Sequence, residues 1–263
     1  MRYFLQIGYD GSKYRGWQRQ SNVASIQEVI EDKLKIIFKK DITVYGCGRT
    51  DAGVHASQYF IHINLDSILS FDLKFIINKH LPKGIVVYDI IEVKERQHAR
   101  FDAIWRTYDY FIHLYEDPIL FGYSSYYNFQ NLDISAMKNA AKSLIKYKDF
   151  RAYCKRADLH NSTICEIKSA QLFANTDGTR IRFSITANRF LRGMIRIIVD
   201  FLLKVGTGEI SIEQFESMLA NKKDLDKKSP ALPNGLFLSK VEYPFLSQAQ
   251  RPDLTSFLKA DLK

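Results

Sequence analysis

The stretch ITVYGCGRTDAGVHASQYFIHIN, Ile42 to Asn64, reads as strand, loop, strand. ITVYG is a short strand running into the loop, and SQYFIHIN is a second strand leaving it. The loop GCGRTDAGVHA, Gly46 to Ala56, gathers three glycines, an arginine, a threonine, an aspartate and a histidine. Gly48 and Gly53 allow backbone angles that other residues avoid, so a sharp, close-packed turn fits here, with Asp51 at its tip and Arg49 beside it. Two readings of Asp51 stay open at this level. Turn aspartates commonly hydrogen-bond their own turn, and a carboxylate held at a tight tip can equally be presented to a ligand. The loop has neither the GK[ST] of a Walker phosphate loop nor a GxGxxG. Asp51 and His55 stand four apart, a metal-pair spacing only on a helix, and Gly53 argues against a helix. With no HExxH or similar set, His55 reads as a hydrogen-bonding loop residue and no metal is expected.

Outward from this loop, strands and helices alternate. RYFLQIGY places Tyr3, Leu5, Ile7 and Tyr9 on one face and predicts a half-buried strand. SIQEVIEDKLKIIF predicts a helix with a Ser25–Glu28 capping box. DLKFIINKHL predicts a helix ended by Pro82 and Gly84, and IVVYDIIEV a strand. A second series begins with WRTYDYFIHLY, which alternates strongly, followed by the helix DISAMKNAAKSLI. ICEIKSAQLF and TRIRFSITA predict two strands around the turn NTDG. NRFLRGMIRIIVDFLLKVGTG predicts one long helix capped by Asn188 and ended near Gly206. SIEQFESML predicts a short helix with its own capping box, and GLFLSKVEY a last strand. The pattern predicts an α+β architecture in two halves: residues 1–100, residues 101–245, and a peripheral tail at 246–263. NKKDLDKKSP reads as a solvated loop.

Hydrophobic residues make up 46% of the 263-residue chain, enough for a sizeable core. Lys and Arg number 38 against 29 Asp and Glu, a net charge of +9, which suggests an anionic partner such as nucleic acid. Cys47, Cys154 and Cys165 form no CxxC pair, which argues against a zinc ribbon or a thioredoxin-like site and fits a reducing compartment. The N-terminus has no long apolar run, and GMIRIIVDFLLKVG is broken by Arg196 and Asp200, so a soluble cytoplasmic protein without a membrane span is expected.

Three further segments carry candidate chemistry. On a continuous helix Arg189, Arg192 and Arg196 would share a face. Arg196 lies in the most apolar part, between Ile195 and Ile197, where a partly buried arginine takes a carboxylate partner, and Asp51 is the candidate. In RTYDY, Tyr108 and Tyr110 project from one strand face, as core rings or as a platform for flipped-out bases. YDGSKYRGWQRQ mixes aromatic, glycine and basic residues, a combination that suits looped RNA.

As a set, YDGSKYRGWQRQ, SIQE, GCGRTDAGVHA, HARFDAIWRTYDY, NRFLRGMIRIIV and GLFLSKVEY resemble, in that order, the tRNA pseudouridine synthase A (TruA) family, from Arg2 to Pro244. The resemblance implies isomerisation of uridine to pseudouridine at tRNA positions 38, 39 and 40, in the anticodon arm. It implies two similar α+β subdomains with antiparallel-type sheets flanked by helices, an RNA cleft between them, a homodimer, and neither cofactor nor metal. By the same resemblance Asp51 is the catalytic nucleophile and Arg196 the active-site arginine. Tyr108 is the active-site tyrosine that stacks on the uracil, and Arg49 helps hold the flipped nucleotide. Cys165 stands where some members carry arginine. Two rivals stand beside this reading: a non-catalytic tRNA-binding protein of the same fold, and a glycosidic hydrolase that releases free uracil.

Overall fold

The computed structural model describes residues 1–66, 72–221 and 229–246. Most of the lysine-rich loop and nearly all of the tail at 246–263 lie outside the described residues. The chain divides into two units, Met1–Ile104 with the segment that starts at Phe237, and Trp105–Leu236. Each unit combines helices with a mostly antiparallel set of strands.

The first unit opens with β1, Arg2–Tyr9, and then α1, Ile26–Phe38. Ser25 starts α1 by accepting the Glu28 amide at 3.3 Å on its side-chain oxygen, and Lys39 ends it in the left-handed region at φ 53°. Next come β2, Tyr45–Gly46, β3, His55–Asn64, α2, Leu73–His80, and β4, Ile85–Val93. α2 starts at Asp72, whose carboxylate takes the Phe75 amide at 3.0 Å. β1 runs antiparallel between β3 and β4, with Leu5 opposite Ile61 on one side and Ile90 on the other. That central position corrects the half-buried expectation. Every residue from Tyr3 to Tyr9 is buried, because both edges are paired and both faces are covered.

The second unit contains β5, Trp105–His113, β6, Ser125–Tyr126, α3, Ile134–Ser143, β7, Ile167–Ala174, and β8, Arg180–Ala187. It closes with α4, Met194–Gly206, and α5, Ile212–Asn221. β8 pairs antiparallel with β5 along its length and with β7 through the hairpin, where the Gly178 amide reaches the Asn175 carbonyl at 3.0 Å. Asp133 caps α3, and Ser211 and Gln214 form a reciprocal capping box at α5. α3 packs against β7, α4 and α5.

Two expectations need correction here. The long helix does not begin at Asn188. Asn188 prolongs the sheet edge instead, its carbonyl-type side-chain oxygen accepting the Glu166 amide at 2.9 Å. Gly193 then turns the chain at φ 70°, and helix starts only at Met194. Arg189 and Arg192 are therefore not on the helical face that carries Arg196. The second correction concerns the last strand, β9, Leu236–Glu242, which the sequence assigned to the second half. From Phe237 onward it belongs with the first unit, where it pairs parallel with β3 at His55–Phe237 and Ala56–Leu238. Among the described residues no helix is long and apolar enough to cross a membrane.

Candidate active site

The loop between β2 and β3 is pinned from below and from the side. Tyr59 on β3 stacks on Trp17 with ring centroids 4.3 Å apart, and Tyr9 on β1 stands 5.5 Å from Tyr59. Gly46 lies against this aromatic floor, where a Cβ would come within 2.6 Å of the Trp17 ring and run into the Tyr59 hydroxyl. The Tyr59 hydroxyl donates to the Gly48 carbonyl at 2.5 Å. Tyr9 and Thr50 share a buried hydroxyl–hydroxyl bond of 2.9 Å.

From the side, the segment Gly11–Trp17 clasps the same loop. The Trp17 amide donates to the Thr50 carbonyl and the Gly53 amide to the Tyr14 carbonyl, both at 3.2 Å. Gly16, at φ 90°, lies so close that a Cβ would meet the Thr50 carbonyl oxygen. The Val54 amide closes a turn onto the Asp51 carbonyl at 3.2 Å, with Gly53 at φ 74° supplying the left-handed residue. The chain is thus fixed on both sides of Asp51, whose side chain is half-buried, while Arg49 is exposed. A carboxylate on so constrained a backbone is preorganised to meet a reacting atom.

His55 leaves the loop buried against Phe237, rings 4.6 Å apart. Its Nδ1 lies 3.2 Å from both the Gly11 amide and an Asp10 carboxylate oxygen, so the proton on that nitrogen decides which it bonds. When His55 donates, it holds the Asp10 carboxyl well below the ordinary carboxylate range. His55 does hydrogen-bond, but as the first residue of β3 rather than as a loop residue, and to the segment Asp10–Gly11.

In the second unit Tyr108 lies on β5, 8% exposed, with its ring edge-on to Phe190 at 5.1 Å. Tyr110, two residues on, is a buried hub. Its hydroxyl reaches Ser125 and the Leu232 carbonyl at 2.8 Å each and Tyr127 at 3.2 Å. Burial pushes the Tyr110 hydroxyl pKa far up, so it stays protonated. Arg196 on α4 is half-buried, and its Nε donates to the Ala231 carbonyl at 2.6 Å. The Ala231 amide returns a bond to the Arg196 carbonyl at 2.9 Å. The segment that holds Arg196 is thus itself held by Tyr110 and Tyr127, a support with no signature in the sequence.

A groove of about 400 Å³ opens beside Arg49 in the first unit. Its wall carries the rings of Tyr45, His98 and Phe101, with buried His62 behind them. Tyr45 stacks on His62 at 4.7 Å and 11°, His62 meets His98 edge-on at 4.5 Å, and His98 lies 4.4 Å from Phe101. Phe101 is 74% exposed, and the Arg100 guanidinium sits 5.7 Å from its centre. His62 accepts the Ala99 amide on Nδ1 at 3.1 Å, and burial lowers its pKa to about 3. Burial, then the Arg2 charge, lowers that of His98. Tyr45 and His62 face each other across β2 and β3, whereas His98 and Phe101 follow on the segment HARFDA, and no local pattern in the sequence brings these rings together. The cysteines are buried, and burial pushes the Cys165 thiol up to about 12.

The family described as tRNA pseudouridine synthase matches residues 140–244. A Bacteroides fragilis protein named tRNA pseudouridine synthase A is 40% identical over 92% of this chain and 96% of its own length. A Bacteroides thetaiotaomicron protein of the same name is 37% identical over 98% of this chain and 97% of its own. One from Porphyromonas gingivalis, also so named, is 37% identical over 92% and 97% respectively.

Proposed function

The chain belongs to the tRNA pseudouridine synthase A family, and from that premise we propose where and how it acts. It isomerises uridine to pseudouridine in tRNA. We place the reaction at positions 38, 39 and 40 of the anticodon arm, in the cytoplasm, with the protein working as a homodimer. The observation that supports Asp51 as the reacting group is its backbone, tied on both sides by Trp17, Tyr14 and the Tyr59 hydroxyl.

The reaction breaks the bond from C1′ to N1, turns the base, joins C1′ to C5, releases the C5 proton to solvent and leaves N1 to take one up. Electrons balance without an oxidant or reductant. Asp51 acts at the ribose, by attack on C1′ or by taking the C2′ proton to give a glycal. A primary isotope effect from deuterium at C2′ marks the second route and its absence the first. Tyr108 stacks on the uracil and assists proton movement at C5. Arg196 orients the Asp51 carboxylate, and Arg49 holds the nucleotide once it has left its stack.

The test is tritium release from tRNA carrying [5-³H]uridine, with no added cofactor. Release without free uracil is expected, and Asp51→Ala should abolish it while binding tRNA normally. Free uracil would instead identify a hydrolase. Intact binding without release from any tRNA would identify a non-catalytic binder, and turnover by Asp51→Ala would remove that residue from the chemistry.

A further inference from the structure

The groove beside Arg49 has a composition that the isomerisation itself does not require. Its rings form a wall that ends in Phe101, a large apolar side chain 74% exposed. Phe101 shares the groove with Tyr45 and His98, so the exposed surface is a contiguous aromatic patch rather than a single ring. The ring is not loosely placed. His98 backs it at 4.4 Å, and the His98 amide is fixed on the Asp102 carboxylate at 2.8 Å. The next amide, Ala99, is anchored on buried His62 at 3.1 Å, and the Ala99 carbonyl takes the Tyr243 hydroxyl. Arg100 and Arg49 supply cations at the groove, and Tyr45 and His98 line its wall with buried His62 packed behind them.

We propose that this groove is a second nucleotide subsite for tRNA. Phe101 stacks an unpaired base that neighbours the reacting uridine, and Arg100 and Arg49 take the phosphates on either side of it. The proposal rests on the tRNA reading above. Aromatic faces stack any base, and arginines beside them meet the backbone, which is how single-stranded segments are held without sequence preference. The groove's 400 Å³ lies in the usual range of small-ligand clefts, room for one nucleotide. Charge selects the occupant: two arginines at the mouth suit a polyanion and disfavour a second copy of a chain that carries +9. The subsite also explains how one enzyme can hold an anticodon arm while the reacting base changes position. A sequence-tolerant stack grips the loop without specifying it.

Phe101→Ala, Phe101→Leu and Phe101→Trp in the full chain test this, with unmodified tRNA as ligand. Phe101→Ala is expected to raise both Kd and KM for tRNA about tenfold, with kcat nearly unchanged. Phe101→Leu should lose as much, because it is apolar without a stacking face. Phe101→Trp should bind as the parent does, with its added fluorescence quenched by tRNA. Arg100→Ala should lower the slope of log Kd against log salt by about 0.7, one single-strand phosphate, while Phe101→Ala leaves that slope alone. Parent-like binding by Phe101→Ala or Phe101→Leu would overturn the proposal. So would sedimentation showing that Phe101→Ala converts a dimer to a monomer, since the ring would then serve a subunit contact. Failure of the synthase reading is a separate result: the parent protein would release no tritium, whatever stands at position 101.

Discussion

Lowering the pH toward 5 should destabilise this protein, and His62 carries a share that can be isolated. Its ring is 1% exposed, stacked between Phe4 and Tyr45 and edge-on to His98. Nδ1 accepts the Ala99 amide, so the folded state holds the neutral ring. Burial, then the charges of His98 and Arg2, lowers its pKa from 6.5 to about 3. The unfolded chain therefore binds a proton between pH 6.5 and 3 that the folded chain refuses. Stability from this residue is complete above pH 6.5 and falls as the pH drops through that window. Each pH unit below 6.5 costs about 1.4 kcal/mol, so by pH 5 the loss reaches about 2 kcal/mol. His62→Asn isolates the effect, because its side-chain oxygen sits where Nδ1 does, accepts the same amide and does not titrate. Urea unfolding of both proteins at pH 7, 6 and 5 gives the answer. The parent should lose about 2 kcal/mol more than His62→Asn between pH 7 and 5. Parallel lines for the two proteins would refute the neutral, buried assignment, whatever their absolute stabilities.

Gly16→Ala should damage the Asp51 loop, because φ is 90° and the new Cβ meets the Thr50 carbonyl. Left-handed strain alone costs about 1–2 kcal/mol, so a lower urea midpoint together with a more than tenfold loss of tritium release is expected; parent-like values for both would contradict the clasp. Tyr110→Phe removes a hydroxyl that bonds the Leu232 carbonyl and Ser125, next to the segment holding Arg196. It should cost about 1–3 kcal/mol of stability and lower kcat with KM for tRNA preserved; an unchanged kcat would make the hub purely structural. Asp133→Ala removes the cap of α3 and should cost about 1 kcal/mol in urea unfolding without affecting turnover.

Much of this molecule is legible in short windows of its sequence. Ser25, Asp72, Asp133 and Ser211 mark helix starts because an N-cap is a bond between residues three apart. β4 is found at its bounds, and β5 begins where the alternation does, because side-chain period follows from backbone geometry alone. The Gly-rich loop and its aspartate are likewise local, since Gly53 alone permits that turn. What lay beyond the sequence depends on contacts between distant segments. An arginine-rich run, 189–192, stays out of α4 because Asn188 and Arg192 bond Glu166 and Lys155 instead and Gly193 turns the chain. β1 is buried on both faces because of what packs on it, and β9 joins β3 across more than half of the chain. The clasp of Gly16 on Thr50, the Tyr110 hub and the ring wall from Tyr45 to Phe101 are of the same kind. Local sequence fixes dihedral preferences and periodicity, whereas pairing and packing energies depend on which partner arrives, and that is settled only when the whole chain has folded.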